Sequence, residues 1–255
     1  MTRTKSLLSL LCAAALTAAF SGPAAASALL VDRGLPTDNL NNAAGADRSN
    51  VSWAFSQYTS NDYWMVGDTF TNTSSQTWAI TSIRMWTVGE TDSAVLRGGL
   101  SGSTVGVISD TTYGDAFNSI YQGTSGSFIT MHQIDFAVNI LLGAGETYDF
   151  FLDGSGSAAA GQGTSIPFAH ASNAALGGVP ADGADDLMLY AEVVNGVVDT
   201  ANIGSWSSAD PGMGWDKASD LNVQVFGNAV PEPASLALVS LALLGAAGAS
   251  RRRKG

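Results

Sequence analysis

Residues 78–88 read WAITSIRMWTV, and this stretch decides the fold class. Trp78, Ile80, Ser82, Arg84 and Trp86 share one parity; Ile83 and Met85 fall on the other. Alternation of this kind, rich in aromatic and β-branched residues, marks a strand with one face more buried than the other. The stretches around it read the same way. Strands are expected at 51–58 (VSWAFSQY), 63–72 (YWMVGDTFTN), 104–109, 127–142 (SFITMHQIDFAVNILL, one long or two short strands), 147–152 (TYDFFL), 186–194 and 221–226 (LNVQVF). Gly, Ser, Asn and Asp clusters separate them, as turns require. No stretch between the termini sustains a 3.6-residue period with caps. Many strands at short spacing predict an all-β domain, an antiparallel β-sandwich or jelly-roll-like fold.

Outward from this core, the chain divides into three. Residues 1–28 read as a signal peptide. Arg3 and Lys5 precede an apolar run (LLSLLCAAALTAAF, 7–20), then Gly22-Pro23 and small residues. Signal peptidase cleavage is expected after Ala26 or Ala28. A 14-residue run is too short to span a bilayer comfortably. Cys12 is the only cysteine and lies inside that run, so the mature chain has none. Thiol catalysis and thiolate metal sites are thereby excluded, although the destination permits disulfides.

Residues 230–255 form the opposite end. Val230-Pro231-Glu232-Pro233 precedes ASLALVSLALLGAAGAS, then Arg251, Arg252, Arg253 and Lys254. The apolar run is at the lower limit for a spanning helix. Pro231 and Pro233 fix an extended segment before it. Cations at both ends resist translocation, so both stay cytoplasmic and the middle is outside.

The tripeptide Pro231-Glu232-Pro233, the short Leu/Ala/Gly helix and the terminal arginines together resemble the PEP-CTERM sorting signal of Gram-negative bacteria. The resemblance implies an exported protein, anchored transiently in the membrane by the C-terminal helix and cut by exosortase. It also implies association with exopolysaccharide and biofilm formation, at the cell surface or in the extracellular matrix. Residues 29–229 resemble a β-sandwich type that precedes this signal. The shared features are Gly67-Asp68-Thr69-Phe70, the Ile80, Ile83, Trp86 pattern, an AGETYDF-like strand and the segment Asp220 to Gly227. No activity follows from that likeness.

The middle domain holds 21 acids and 5 bases, a formal charge of −16. Such a surface repels phosphate backbones, which argues against nucleic-acid binding. Over the whole chain only 13% of residues are charged, about half the roughly 25% of ordinary soluble domains. Two hundred residues fit one domain.

Motifs for hydrolases, zincins, P-loops and dinucleotide folds are absent. His132 lies mid-strand, and His170 lies in a small-residue loop (PFAHASNAA). Neither has a catalytic partner in the sequence. Carboxylates offer more: Asp182, Asp185 and Asp186 share a Gly/Ala loop, Asp110 and Asp115 flank another, and Asp149 and Asp153 flank a strand end. Loop carboxylates suit Ca²⁺, which accepts irregular oxygen shells, so Ca²⁺ is the candidate ion at Asp182, Asp185 and Asp186. The EF-hand spacing is not met. Among the six tryptophans, Trp53, Trp78 and Trp86 read as core. Trp206 and Trp215 bracket a turn-rich stretch and are candidate sugar-stacking platforms. Asn72-Thr73-Ser74 is a formal sequon with no expected meaning in a bacterium. The leading reading is a non-enzymatic surface or matrix protein. The alternatives are a carbohydrate-binding β-sandwich module and a secreted hydrolase.

Overall fold

The computed structural model describes residues 27–36, 51–54, 56–57, 63–98, 103–111, 116–117, 127–128, 131–156, 167–172, 185, 187–195, 197–199, 201, 203–207 and 220–230. Among these there are strands but no helix, and none long and apolar enough to cross a membrane. In chain order the strands are β1 (Ala28–Asp32), β2 (Val51–Ala54), β3 (Ser56–Gln57), β4 (Tyr63–Thr71), β5 (Thr77–Val88) and β6 (Ser93–Gly98). Then come β7 (Thr104–Val105), β8 (Val107–Asp110), β9 (Ala116–Phe117), β10 (Ser127–Phe128), β11 (Met131–Leu142) and β12 (Thr147–Ser155). The last are β13 (Phe168–His170), β14 (Leu187–Val194), β15 (Val197–Val198), β16 (Gly204–Ser207) and β17 (Val223–Val230).

Two sheets hold nearly all of them. The first runs β1-β17-β5-β11-β8, with β13 on β5 and β2 on β13. The second runs β15-β14-β4-β12-β6-β7, with β16 on β14 and β3 on β4. β9 and β10 pair separately. Every ladder between described strands is antiparallel, as the all-β reading expects.

The chain repeatedly changes sheet. β4 belongs to the second and β5 to the first; β11 belongs to the first and β12 to the second. These two crossings lie side by side. The Asn72 amide donates to the Glu146 carbonyl at 2.9 Å, and the Gly145 amide donates to the Asn72 carbonyl at 2.8 Å. Gly145 has φ of 75°, which glycine adopts without strain. The buried Asn72 side chain completes the joint. Its Nδ2 donates to the Gln76 and Leu142 carbonyls at 2.8 and 2.9 Å, and its Oδ1 accepts from Ser74. A third crossing separates β7 from β8 at Gly106, where a Cβ would collide with Ile134 and Phe136.

One apolar cluster draws on both sheets. Val31, Ile80, Ile83, Met85, Ile134, Phe136 and Val225 come from the first; Val66, Phe70, Leu96, Phe150, Leu152 and Met188 come from the second. Each large side chain so removed from water contributes about 1.5–3 kcal/mol. A smaller cluster of Met65, Phe151, Ala191 and Val193 covers the other face of β4, β12 and β14. These strands are therefore buried on both faces.

The parity expected for residues 78–88 holds only in part. Trp78 and Ile80 are buried as expected, but Ile83 and Met85 join the same cluster, while Ser82 and Arg84 are half-buried. The reason is a bulge. Against β17, Ser82 pairs with Phe226 and Ile80 pairs with Gly227, leaving Thr81 as an extra residue. One extra residue moves every later side chain to the other face. Trp86 is fully buried but lies outside that shared cluster. Six strands have no counterpart in the sequence reading: β1, which begins at the expected cleavage boundary, β6 (SAVLRG), and the short β9, β13, β15 and β16.

Candidate functional site

The most concentrated chemistry among the described residues is buried between the sheets. Arg33 follows β1, Asp68 lies on β4 with the inward parity of Val66 and Phe70, and Asp220 precedes β17. Their side chains are 0–2% exposed. Arg33 Nη1 donates to Asp68 Oδ2 at 2.6 Å and lies 3.4 Å from Asp220 Oδ1. Its Nη2 donates to the Thr69 carbonyl. Asp68 also accepts from the Thr69 and Leu221 amides, each at 2.6 Å. Asp220 accepts from the Asp185 amide at 3.1 Å. The backbone of Arg33 is held equally firmly, its carbonyl accepting from Ser172 Oγ at 2.8 Å and its amide donating to the Val223 carbonyl at 3.0 Å.

Two carboxyls share one guanidinium here. Desolvation raises the Asp68 carboxyl from 3.8 to about 8; Arg33 pulls it down, Asp220 pushes it up, and the two amide donors pull it down. A buried group of one fixed cation and two acids is neutral when the acids keep one proton between them. With side chains almost wholly buried, this cluster joins the first sheet to the second.

His170 lies beside it. The sequence reading placed it in a loop; it is in β13 and 1% exposed, because β13 pairs with both β5 and β2. Its Nδ1 is 2.8 Å from the Ala171 carbonyl. A carbonyl can only accept, so Nδ1 carries the proton. Nε2 is buried without a hydrogen-bond partner. Burial lowers its pKa from 6.5 to about 4, so the ring is neutral at pH 7. Among the described residues no acid or hydroxyl is bonded to it.

His132 is the second residue of β11, near the start of the strand rather than in its middle, and it is 8% exposed. It stands between Glu90 Oε2 at 3.4 Å and Asp110 Oδ1 at 3.6 Å, with neither ring nitrogen in a hydrogen bond. The other two described arginines are paired on the outer sheet faces. Arg84 grips Asp135 at 2.7 and 3.3 Å and lies over Phe226, 5.3 Å from the ring centre. Arg97 grips Asp153 at 2.8 and 2.6 Å.

The sequence-predicted residues are widely dispersed. Asp185 is exposed; its Oδ1 accepts from the Leu187 amide at 3.1 Å, a local turn. Asp182 and Asp186 lie outside the described residues. Among the described residues no three His, Cys, Asp or Glu side chains are placed to hold a metal. Asp149 and Asp153 both lie within β12 rather than flanking its end: Asp149 is exposed and Asp153 is buried against Arg97. Asp110 ends β8, and Asp115 is outside the described residues. Trp206 sits in β16 opposite Met188 of β14. Trp215 is outside the described residues. So are Pro231, Glu232, Pro233, Arg251, Arg252, Arg253 and Cys12. Trp78 and Trp86 are core, as expected. Asn72 is fully buried with its amide nitrogen bonded to two carbonyls, so this sequon offers no acceptor nitrogen.

Sequence reasoning did not find the Arg33–Asp68–Asp220 cluster. One signal was present: Asp68 and Asp220 each interrupt an apolar strand pattern, at GDTF and DLNVQVFG. A charge on the inward parity of a strand needs a buried partner.

Residues 229–254 match the family of the PEP-CTERM protein-sorting motif. The chain therefore carries this motif, which implies exosortase processing, export and membrane-anchored sorting in Gram-negative bacteria. The match begins inside β17. No curated protein and no solved structure matches the chain.

Proposed function

We propose that the chain is an exported, non-enzymatic protein of the cell surface or extracellular matrix, linked to exopolysaccharide and biofilm formation. In this reading signal peptidase removes the leader, the C-terminal helix holds the protein transiently in the membrane, and exosortase releases it. The observation that carries the reading is the sorting motif at 229–254.

The position of that motif in the fold supports it. β17 runs directly into the motif, and its sheet neighbour is β1, with Ala28 opposite Gly227. The segment after the leader and the segment before the tail thus leave one edge of one sheet. Two membrane-directed ends on the same edge suit a single membrane. The shared apolar cluster favours treating the two sheets as the layers of a β-sandwich. A non-enzymatic role is favoured by the buried charges, which are committed to one another and join the layers.

Mass spectrometry of the mature protein tests the proposal. The expected C-terminus lies at or near Pro231-Glu232-Pro233, with the whole tail retained in cells lacking exosortase. A chain ending at Gly255 in both strains would remove the reading.

A further inference from the structure

A second feature lies away from the ionic cluster. Where β6 and β7 face the middle of β11, the sheets part around an open cavity of about 280 Å³. Its lining includes Leu96 and Gly98 of β6, Thr104 of β7, Val138 and Asn139 of β11, and Tyr148 of β12.

The backbone is broken to make this space. Val138, Asn139 and Ile140 all contribute to the lining, although an unbroken strand turns successive residues to opposite faces. The β11–β5 ladder shifts register between Ala137 and Ile140, which is this segment. Bulges re-aim side chains and are concentrated beside functional sites. Gly98 makes a matching adjustment. A Cβ there would strike the Tyr148 hydroxyl, so glycine is what lets the phenol lie across β6. Phe70 supports the ring from behind, with centroids 5.4 Å apart. Burial raises the Tyr148 pKa, which keeps its hydroxyl neutral, able to donate and accept.

The chemistry of the lining selects the ligand. Among the described residues no charged side chain contributes to it, in a domain whose formal charge is −16. The three described arginines are all ion-paired elsewhere, so no cation among them is on hand for an anionic group. A ligand cation finds no carboxylate among the described lining residues. Leu96, Val138, Ile140 and the Tyr148 ring offer an apolar floor; Ser103, Thr104 and Asn139 offer hydroxyls and an amide. A neutral ring with an apolar C–H face and a hydroxylated rim satisfies both. The volume is at the lower end of the roughly 300–1,000 Å³ typical of ligand pockets, which suits one ring.

We infer that this cleft binds a single neutral sugar unit. Binding here does not depend on how the tail is processed. The test is saturation-transfer NMR on the full chain in phosphocholine-detergent micelles. The probes are methyl glycosides of glucose, galactose, mannose and N-acetylglucosamine, with glucuronate as the charged control. Saturation should reach the ring protons of at least one neutral glycoside and not glucuronate. Gly98→Ala, which displaces Tyr148, and Asn139→Ala, which removes an exposed amide, should each weaken binding about fivefold, roughly the worth of one hydrogen bond. Asn139 is exposed, so its truncation leaves the fold intact, and an unchanged melting curve checks this. No transfer to any neutral glycoside overturns the inference. So does equal transfer to glucuronate, or binding unchanged in Asn139→Ala. Loss in Trp206→Ala with retention in both cleft variants moves the site to β16 and overturns it too.

Discussion

Replacing Arg33 by methionine keeps an unbranched apolar stem and removes the cation between Asp68 and Asp220. The guanidinium is fully buried, bonds Asp68 at 2.6 Å and also holds the Thr69 carbonyl. Removing one partner of a buried pair typically costs about 3–5 kcal/mol, because the remaining charge is left uncompensated. For a domain of this size each kcal/mol lowers the melting temperature by roughly 2–4 °C, so a fall of about 6–20 °C is expected near pH 8. The pH dependence is more diagnostic than the size. The Asp68 carboxyl is already raised in the fold, from 3.8 to about 8, and Arg33 is its strongest opposing influence. Without Arg33 the folded value rises further. A group with a raised folded pKa lends its stability below the unfolded pKa and loses it as pH rises through the folded one. The deficit of Arg33→Met must therefore be largest near pH 8 and shrink towards pH 4, where Asp68 is protonated. In Arg33→Met/Asp68→Asn the acid is neutral at every pH, and part of the loss near pH 8 should return. Circular-dichroism melts of residues 27–230 across pH 4–8 measure all three. A loss under about 1 kcal/mol, or a deficit independent of pH, would refute a closed inter-sheet ion cluster.

Other expectations follow from separate parts of the fold. Asn72→Ala removes the donor bond to the Leu142 carbonyl that ties the two sheet crossings together and the bond to Gln76 within its own crossing; a loss of roughly 2–4 kcal/mol in urea unfolding is expected, and under about 0.5 would contradict the geometry. His170 is held neutral down to about pH 4, whereas the unfolded chain takes up the proton near 6.5. Stability from this group therefore falls as pH drops from 6.5 to 4, by roughly 3 kcal/mol, and His170→Asn should flatten that limb; parallel limbs for both proteins would count against the buried neutral ring. Ser27 Oγ bonds Thr81 Oγ1 at 3.1 Å and Ala28 pairs with Gly227, so leader cleavage after Ala26 keeps β1 whole. Amino-terminal sequencing of the exported protein should begin at Ser27; a start at Leu29 would show that the first pair is dispensable.

How far the sequence carried can be judged from particular residues. β4, β5, β11, β12, β14 and β17 were legible because alternation and turn residues are local properties. The sorting tail was legible for a similar reason: a tripeptide, an apolar run and a cationic end need no tertiary context. Parity in β5 was not legible, since the bulge at Thr81 exists only against β17. His170 looked like loop because three residues of β13 carry too short a pattern to recognise; its burial comes from two neighbouring strands distant in sequence. The Asp182–Asp186 cluster drew notice because its members are adjacent in sequence. The ionic cluster that the fold builds draws instead on Arg33 and Asp220, 187 positions apart.

Sequence alone thus determined the β class and the sorting motif, because each depends on neighbours along the chain. Tertiary structure decided which charges are buried together, which face of each strand turns inward and where an uncharged cleft opens. Those depend on strand order and register, where one inserted residue redirects every side chain beyond it.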